Sequence, residues 1–158
     1  MNEHERCLAS IDELMPLMLE QLNAGRAVKL SPTGVSMLPM LRQGRDCVIL
    51  SPPPSRLRKY DIPLYRRPNG QYVLHRVVKI RKNDYTCIGD HQFSPEHGVT
   101  HEQVIAVVTG FTRDDRAYTV DALSYRVYCR LWHWTRFPRR VLLAVGRRVK
   151  RLLQRSKK

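Results

Sequence analysis

Gly34-Val35-Ser36-Met37-Leu38-Pro39 puts a serine where the backbone must change direction, shortly before the apolar run Cys47–Leu50. Such a serine is either an ordinary turn residue or a nucleophile. A hydroxyl becomes a useful nucleophile only when a neighbouring base takes its proton. Of the six histidines, His75 has the setting a base requires. In Gln71–Ile80 (QYVLHRVVKI), period-2 alternation puts Val73, His75, Val77 and Lys79 on one face of a strand. Tyr72, Leu74, Arg76, Val78 and Ile80 fall on the other. An imidazole between two valines is held rigidly and partly dried, and its ordinary pKa of about 6.5 leaves it mostly neutral at pH 7. A third group would orient the ring and stabilise its charged form. The next strand ends in CIGDHQFSPEHG, which offers Asp90 directly after Gly89, and Glu96 further on. Each residue alone has a structural explanation: a turn serine, a strand histidine, a Gly-Asp turn. Ser36, His75 and Asp90 gain weight together because each ends or occupies a strand of one small sheet system.

The elements that must position them follow from periodicity. SIDELMPLMLEQLNAG (about residues 10–24) predicts a helix with Ile11, Leu14, Met15, Met18 and Leu22 on one face. Ser10 and Glu13 have capping-box spacing and Gly25 suits the C-terminal stop, while Pro16 should kink the helix or shift its start. From Ala27 the pattern turns to β-branched and aromatic runs: AVKL, DCVIL, DIPLYRR, QYVLHRVVKI, DYTCIG, EQVIAVVTGFTR and AYTV. Asn69-Gly70 signals a tight hairpin, and Ser51–Ser55 (SPPPS) a stiff loop. The expected body is a small, mostly antiparallel β domain with one leading helix, residues 1–121, followed by a tail, residues 122–158.

Charge divides the chain at the same place. From Met1 to Asp121, 16 Lys and Arg face all 14 Asp and Glu; from Ala122 to Lys158 there are 12 Lys and Arg and no acid. The 158 residues suffice for one domain with a real core. Cys7, Cys47, Cys87 and Cys129 form no C-x-x-C pair and read as reduced thiols rather than a disulfide framework. With no apolar leader and no run of about 18–20 apolar residues, a cytoplasmic location is expected. Cys87, Asp90, His91, His97 and His101 contain metal-ligand residue types, but Gly98 and the neighbouring β-branched residues make the His97/His101 spacing poor helix. No metal and no cofactor are expected.

The boxes resemble the signal peptidase I family over roughly Leu30–Thr112. Gly34–Pro39 (GVSMLP) is similar to its nucleophile box. Tyr60–Arg67 (YDIPLYRR) is similar to the strand written G-D-I-V, with Tyr60 where glycine stands in the family. Leu74–Ile80 (LHRVVKI) resembles the histidine version of the base strand, and Gly89–Glu96 (GDHQFSPE) the G-D-N box, with His91 for asparagine. The resemblance implies a mainly β, LexA/signal-peptidase-like domain of coiled antiparallel sheets with a shallow groove. A peptide or protein substrate would lie there as an added strand. It implies a serine endopeptidase with Ser36 as nucleophile, His75 as general base, and the Ser36 N–H with Thr33 holding the oxyanion. Asp90 matches the family-wide acid; Glu96 matches the carboxylate that competes for the role in the histidine branch. The transmembrane anchor of signal peptidases is not seen. LexA-type repressor peptidases carry lysine at the His75 position, and a DNA-binding domain for which the residues before Gly34 leave no room. A non-catalytic peptide-binding or membrane-peripheral module of the same fold is the alternative.

In the tail, Pro138 can open a helix on which Val141, Leu142, Val145, Val149, Leu152 and Leu153 share a face. Arg139, Arg140, Arg147, Arg148, Lys150, Arg151 and Arg155 lie largely elsewhere around it, and Trp132 and Trp134 precede it. That composition suits a basic amphipathic helix in an anionic membrane interface. Packing on the body is the competing reading. Basic residues alone would bind nucleic acid only without specificity.

Overall fold

The computed structural model describes residues 11–114, 116–136 and 138. The chain divides into two compact units, Met1–Ala122 and Leu123–Lys158. Ser10 and the tail residues from Arg139 on, including Val141–Leu153, lie outside the described residues. The described part is mainly β, with antiparallel sheets, one helix before them and one after.

Helix α1 runs Ile11–Asn23 and buries Met15, Met18 and Leu22, the face that the 3.6-residue period marks. Pro16 lies inside this one helix; it removes a single backbone bond, and the buried methionines on either side keep the turn packed. The helix stops where glycine permits a left-handed residue. Gly25 has φ 75°, its N–H donates to the Leu22 carbonyl at 2.9 Å, and Arg26 donates to Gln21 at 3.0 Å.

The larger sheet has the order β1-β2-β8-β3-β4, with β9 also paired to β8. Its strands are β1 (Val28–Leu30), β2 (Cys47–Ser51), β3 (Pro63–Arg66), β4 (Tyr72–Leu74), β8 (Val104–Arg113) and β9 (Arg116–Thr119). The smaller sheet is β5 (Arg76–Ile80), β6 (Asp84–Ile88) and β7 (Glu96–Thr100), in that order. Arg67–Gln71 turns between β3 and β4: Gly70 has φ 88° and Gln71 donates to the Asn69 side chain at 3.1 Å. Tyr65, Val73, Val104 and Val107 of the larger sheet cluster with Val77, Tyr85, Cys87 and Val99 of the smaller, so the core lies between the sheets.

Two differences from the sequence reading bear on the site. QYVLHRVVKI is not one strand. It breaks at His75, where the chain leaves the larger sheet as β4 and enters the smaller as β5. Alternation is lost there, so Arg76, expected opposite His75, is buried beside it, at 2% and 3% exposure. The second difference is β7, which PEHGVTHEQ does not advertise. It pairs with β6 through an irregular register in which Tyr85 faces Val99 and Cys87 faces Glu96, with Gly98 at φ 74°. Tyr60, at the position where the resemblance places glycine, also takes a left-handed φ of 79°. It is held there by its N–H bond to Val77 at 2.8 Å.

Candidate active site

Ser36 sits in the turn between β1 and β2, and that turn is fastened from behind. Gly34 enters it with φ 84° and donates to the Gln43 side chain at 2.9 Å. Met37, Met40 and Leu41 are buried. Asp46, fully buried, takes the Arg42 guanidinium at 2.8 Å and the Arg42 N–H at 2.9 Å. Burial alone would raise its pKa, but those Arg42 bonds leave it below the ordinary carboxylate value. From β8, Arg113 donates to the carbonyls of Pro39 (2.7 Å) and Met40.

The Gly89-Asp90-His91 segment closes the other side. The His91 N–H donates to the Ser36 carbonyl at 2.8 Å. A Cβ on Gly89 would lie 2.5 Å from that same carbonyl oxygen and 3.1 Å from Ser36 Cβ. Only glycine lets β6 end this close to the serine. Asp90 faces Arg76, with bonds of 2.8 Å to Oδ1 and 2.7 Å to Oδ2 between side chains each 2% exposed. The same guanidinium reaches the Tyr60 carbonyl (3.2 Å) and the Met40 sulfur (2.8 Å). This ion pair therefore ties the serine turn, the Tyr60 corner and the strand after His75 to one point.

Ser36 and His75 line the same open cleft, of about 340 Å³, with Thr33, Met37, Arg67 and Gln92 also on its walls. No hydrogen bond joins the Ser36 hydroxyl to His75 among the described residues. The imidazole Nδ1 lies 3.2 Å from the Tyr65 hydroxyl, which donates to Glu96 Oε2 at 2.7 Å. Glu96 Oε2 is 3.9 Å from Nδ1 itself. Arg67 grips the Glu96 carboxylate from outside, with Nη2 at 2.6 Å and Nε at 2.9 Å.

The proton inventory along this chain assigns the tautomer. Burial first, then the Glu96 bond, pushes the Tyr65 phenol far above its usual pKa, so it keeps its one proton. That proton goes to the nearby carboxylate. Glu96 would be raised by burial, but the bonds from Arg67 and Tyr65 hold it below the ordinary range, so it stays charged. His75 must then donate Nδ1–H to the Tyr65 oxygen, which leaves the Nε2 lone pair unprotonated. Burial, reinforced by the Arg67 charge, lowers the His75 pKa to about 4. The ring is neutral at pH 7.

Of the residues expected to form a site, Ser36, His75 and Thr33 share the cleft. Asp90 forms the buried pair with Arg76, and Glu96 is the carboxylate beside the imidazole. Tyr65 and Arg67 had no signal in the sequence: DIPLYRR reads as a strand whatever its tyrosine does. Among the described residues no three His, Cys, Asp or Glu side chains converge on a point that could hold a metal. His97 faces Thr86 at 3.2 Å and His101 faces Tyr85 at 3.0 Å. Burial, with the Glu96 charge beside it, pushes the Cys87 thiol up to about 12, so it stays protonated at pH 7. No family model, curated protein or solved structure matches the chain.

Proposed function

We propose that this chain is a serine endopeptidase with a signal-peptidase-like, LexA-like β domain. Ser36 Oγ attacks the scissile carbonyl while His75 Nε2 takes its proton. Tyr65, Glu96 and Arg67 orient the ring and stabilise the imidazolium that forms. This reading moves the acidic role from Asp90 to Glu96 and makes the Arg76–Asp90 pair a structural fastening. The Ser36 N–H and the Thr33 hydroxyl are the donors for the oxyanion. The imidazolium then protonates the leaving amine, and water releases the acyl group by the reverse route.

The substrate lies as an added strand. β1 and β4 are outer strands of the larger sheet, and Lys29–Thr33, Tyr72 and Leu74 line a trench beside α1 that adjoins the cleft. Strands that are outermost among the described residues and border a trench suit an extended peptide.

The observation that carries the reading is the His75–Tyr65–Glu96 chain in the cleft that Ser36 shares. The test is cleavage of a diverse peptide library, read by mass spectrometry. Ser36→Ala and His75→Gln should abolish cleavage, and Tyr65→Phe should reduce it about 10²-fold or more. Cleavage that survives Ser36→Ala would refute the proposal. Peptide binding without cleavage by the native chain would favour the non-catalytic module.

A further inference from the structure

Helix α2 (Leu123–Trp134) belongs to the C-terminal unit, and its two sides are unlike. At about 100° per residue, Tyr125, Tyr128, Cys129 and Trp132 share one side. There Cys129 is buried, and the Tyr128 and Trp132 rings stack with centroids 5.9 Å apart. Leu123, Val127, Leu131 and Trp134 fall within about 80° of one another on the other side. They remain 72, 43, 56 and 84% exposed. Arg126 and Arg130, also exposed, run along one flank of that stripe.

We propose that this face of α2 docks on an anionic lipid bilayer, with the helix lying in the headgroup interface. Leucine, valine and tryptophan enter the acyl boundary, while the arginines extend their stems over it and place guanidinium groups among the lipid phosphates. Charge selects this occupant. From Ala122 on the chain has 12 Lys and Arg and no Asp or Glu, so a second copy would bring like charge to the same face. Nucleic acid would satisfy the arginines and leave the apolar stripe in water. A bilayer surface meets both, and an exposed tryptophan at one end suits its interface. Twelve residues of helix extend about 18 Å, short of the roughly 30 Å hydrocarbon core. No helix among the described residues is long and apolar enough to cross a membrane. The helix lies on the bilayer.

The test uses the full chain sedimented with vesicles of phosphatidylcholine alone or with one anionic phospholipid in about three, with circular dichroism as the folding control. The native chain should bind only the anionic vesicles, and binding should fall as salt rises. Val127→Asn with Leu131→Asn should weaken binding at least about tenfold; both side chains are exposed, so the fold should survive. Arg126→Gln should weaken it about fivefold. Val127→Leu, which adds apolar area, should strengthen binding and needs no loss of structure to be read. Equal binding to neutral vesicles, or native binding by the Asn pair, would overturn the proposal. So would self-association that the Asn pair abolishes without any vesicle binding, or RNA binding that the Asn pair leaves intact when vesicles are not bound.

Discussion

Replacing Gly89 by alanine perturbs Ser36, the proposed nucleophile, without touching its hydroxyl. The new methyl carbon would lie 2.5 Å from the Ser36 carbonyl oxygen and 3.1 Å from both its carbonyl carbon and Cβ. Ordinary van der Waals contact begins near 3.4 Å, so the two backbones must part by about 0.9 Å. The Gly89 side cannot yield freely, because Asp90 is held by two bonds to buried Arg76. The displacement therefore falls on Ser36, whose 2.8 Å bond from the His91 N–H must stretch. A shift near 1 Å in a reacting group costs about 10²-fold in rate, and overpacking of this kind about 1–3 kcal/mol in stability. The assay is kcat/KM on the best peptide from the library, beside urea unfolding, at a temperature where the variant is folded. Gly110→Ala is the control. Its Cβ would meet the Tyr118 carbonyl at 3.0 Å between β8 and β9, so it should lose stability and keep kcat/KM. Native kcat/KM in folded Gly89→Ala would refute the reasoning, as would equal losses in both variants.

The two carboxylates should separate by what they lose. Asp90→Asn leaves Arg76 charged and buried and should cost about 3–5 kcal/mol of stability, whereas folded Glu96→Gln should lose about 10²-fold or more in kcat/KM at little cost to folding; urea unfolding and kinetics on both variants check this, and the reverse pattern would return the catalytic role to Asp90. With the His75 pKa near 4, the acid limb of kcat/KM should lie near pH 4 rather than near 6.5. In the same window the unfolded chain binds a proton that the native one refuses, so stability should fall as pH drops from about 6.5 to 4. The His75 share of that fall is about 3 kcal/mol; a stability curve flat over that range would show that the ring is solvated. Tyr60→Gly should raise stability by about 0.5–1 kcal/mol, since the left-handed backbone costs tyrosine more than it costs glycine; a lower urea midpoint would mean the tyrosine ring contributes more than its backbone loses.

Local rules made the α1 face, its glycine stop and the Asn69-Gly70 turn legible, because each depends on residues a few positions apart. Most strands appear within two residues of where β-branched runs place them. β7 was hidden because Glu96 and Gly98 are poor strand formers in isolation and Pro95 directly precedes them. Pairing with β6, which only the tertiary fold supplies, outweighs that preference. The break at His75 was hidden for the opposite reason: the local pattern is a good strand on both sides, and the choice of a different sheet for each half is made by distant partners. Ser36 and His75 could be singled out by type and setting. Tyr65 could not, since nothing near it in sequence shows that its hydroxyl reaches between a histidine ten residues on and a glutamate beyond.

The change of sheet at His75 has a consequence for which substrates turn over. The residues immediately before it, Tyr72–Leu74, form an outer strand, and those after it belong to the other sheet, so the imidazole is carried by the joint between them. On the proposed reading, a peptide that pairs along this outer strand is held by the same joint that carries the ring, so that pairing registers its scissile carbonyl against both the base and the serine. Turnover then depends on substrate length more than on the residues at the scissile bond. Small esters that reach Ser36 without pairing would be poorly registered and react slowly, and each added residue able to pair would raise kcat before it lowers KM. The chain would act as a gauge of extended backbone, indifferent to folded proteins that expose the same residues in a turn or a helix.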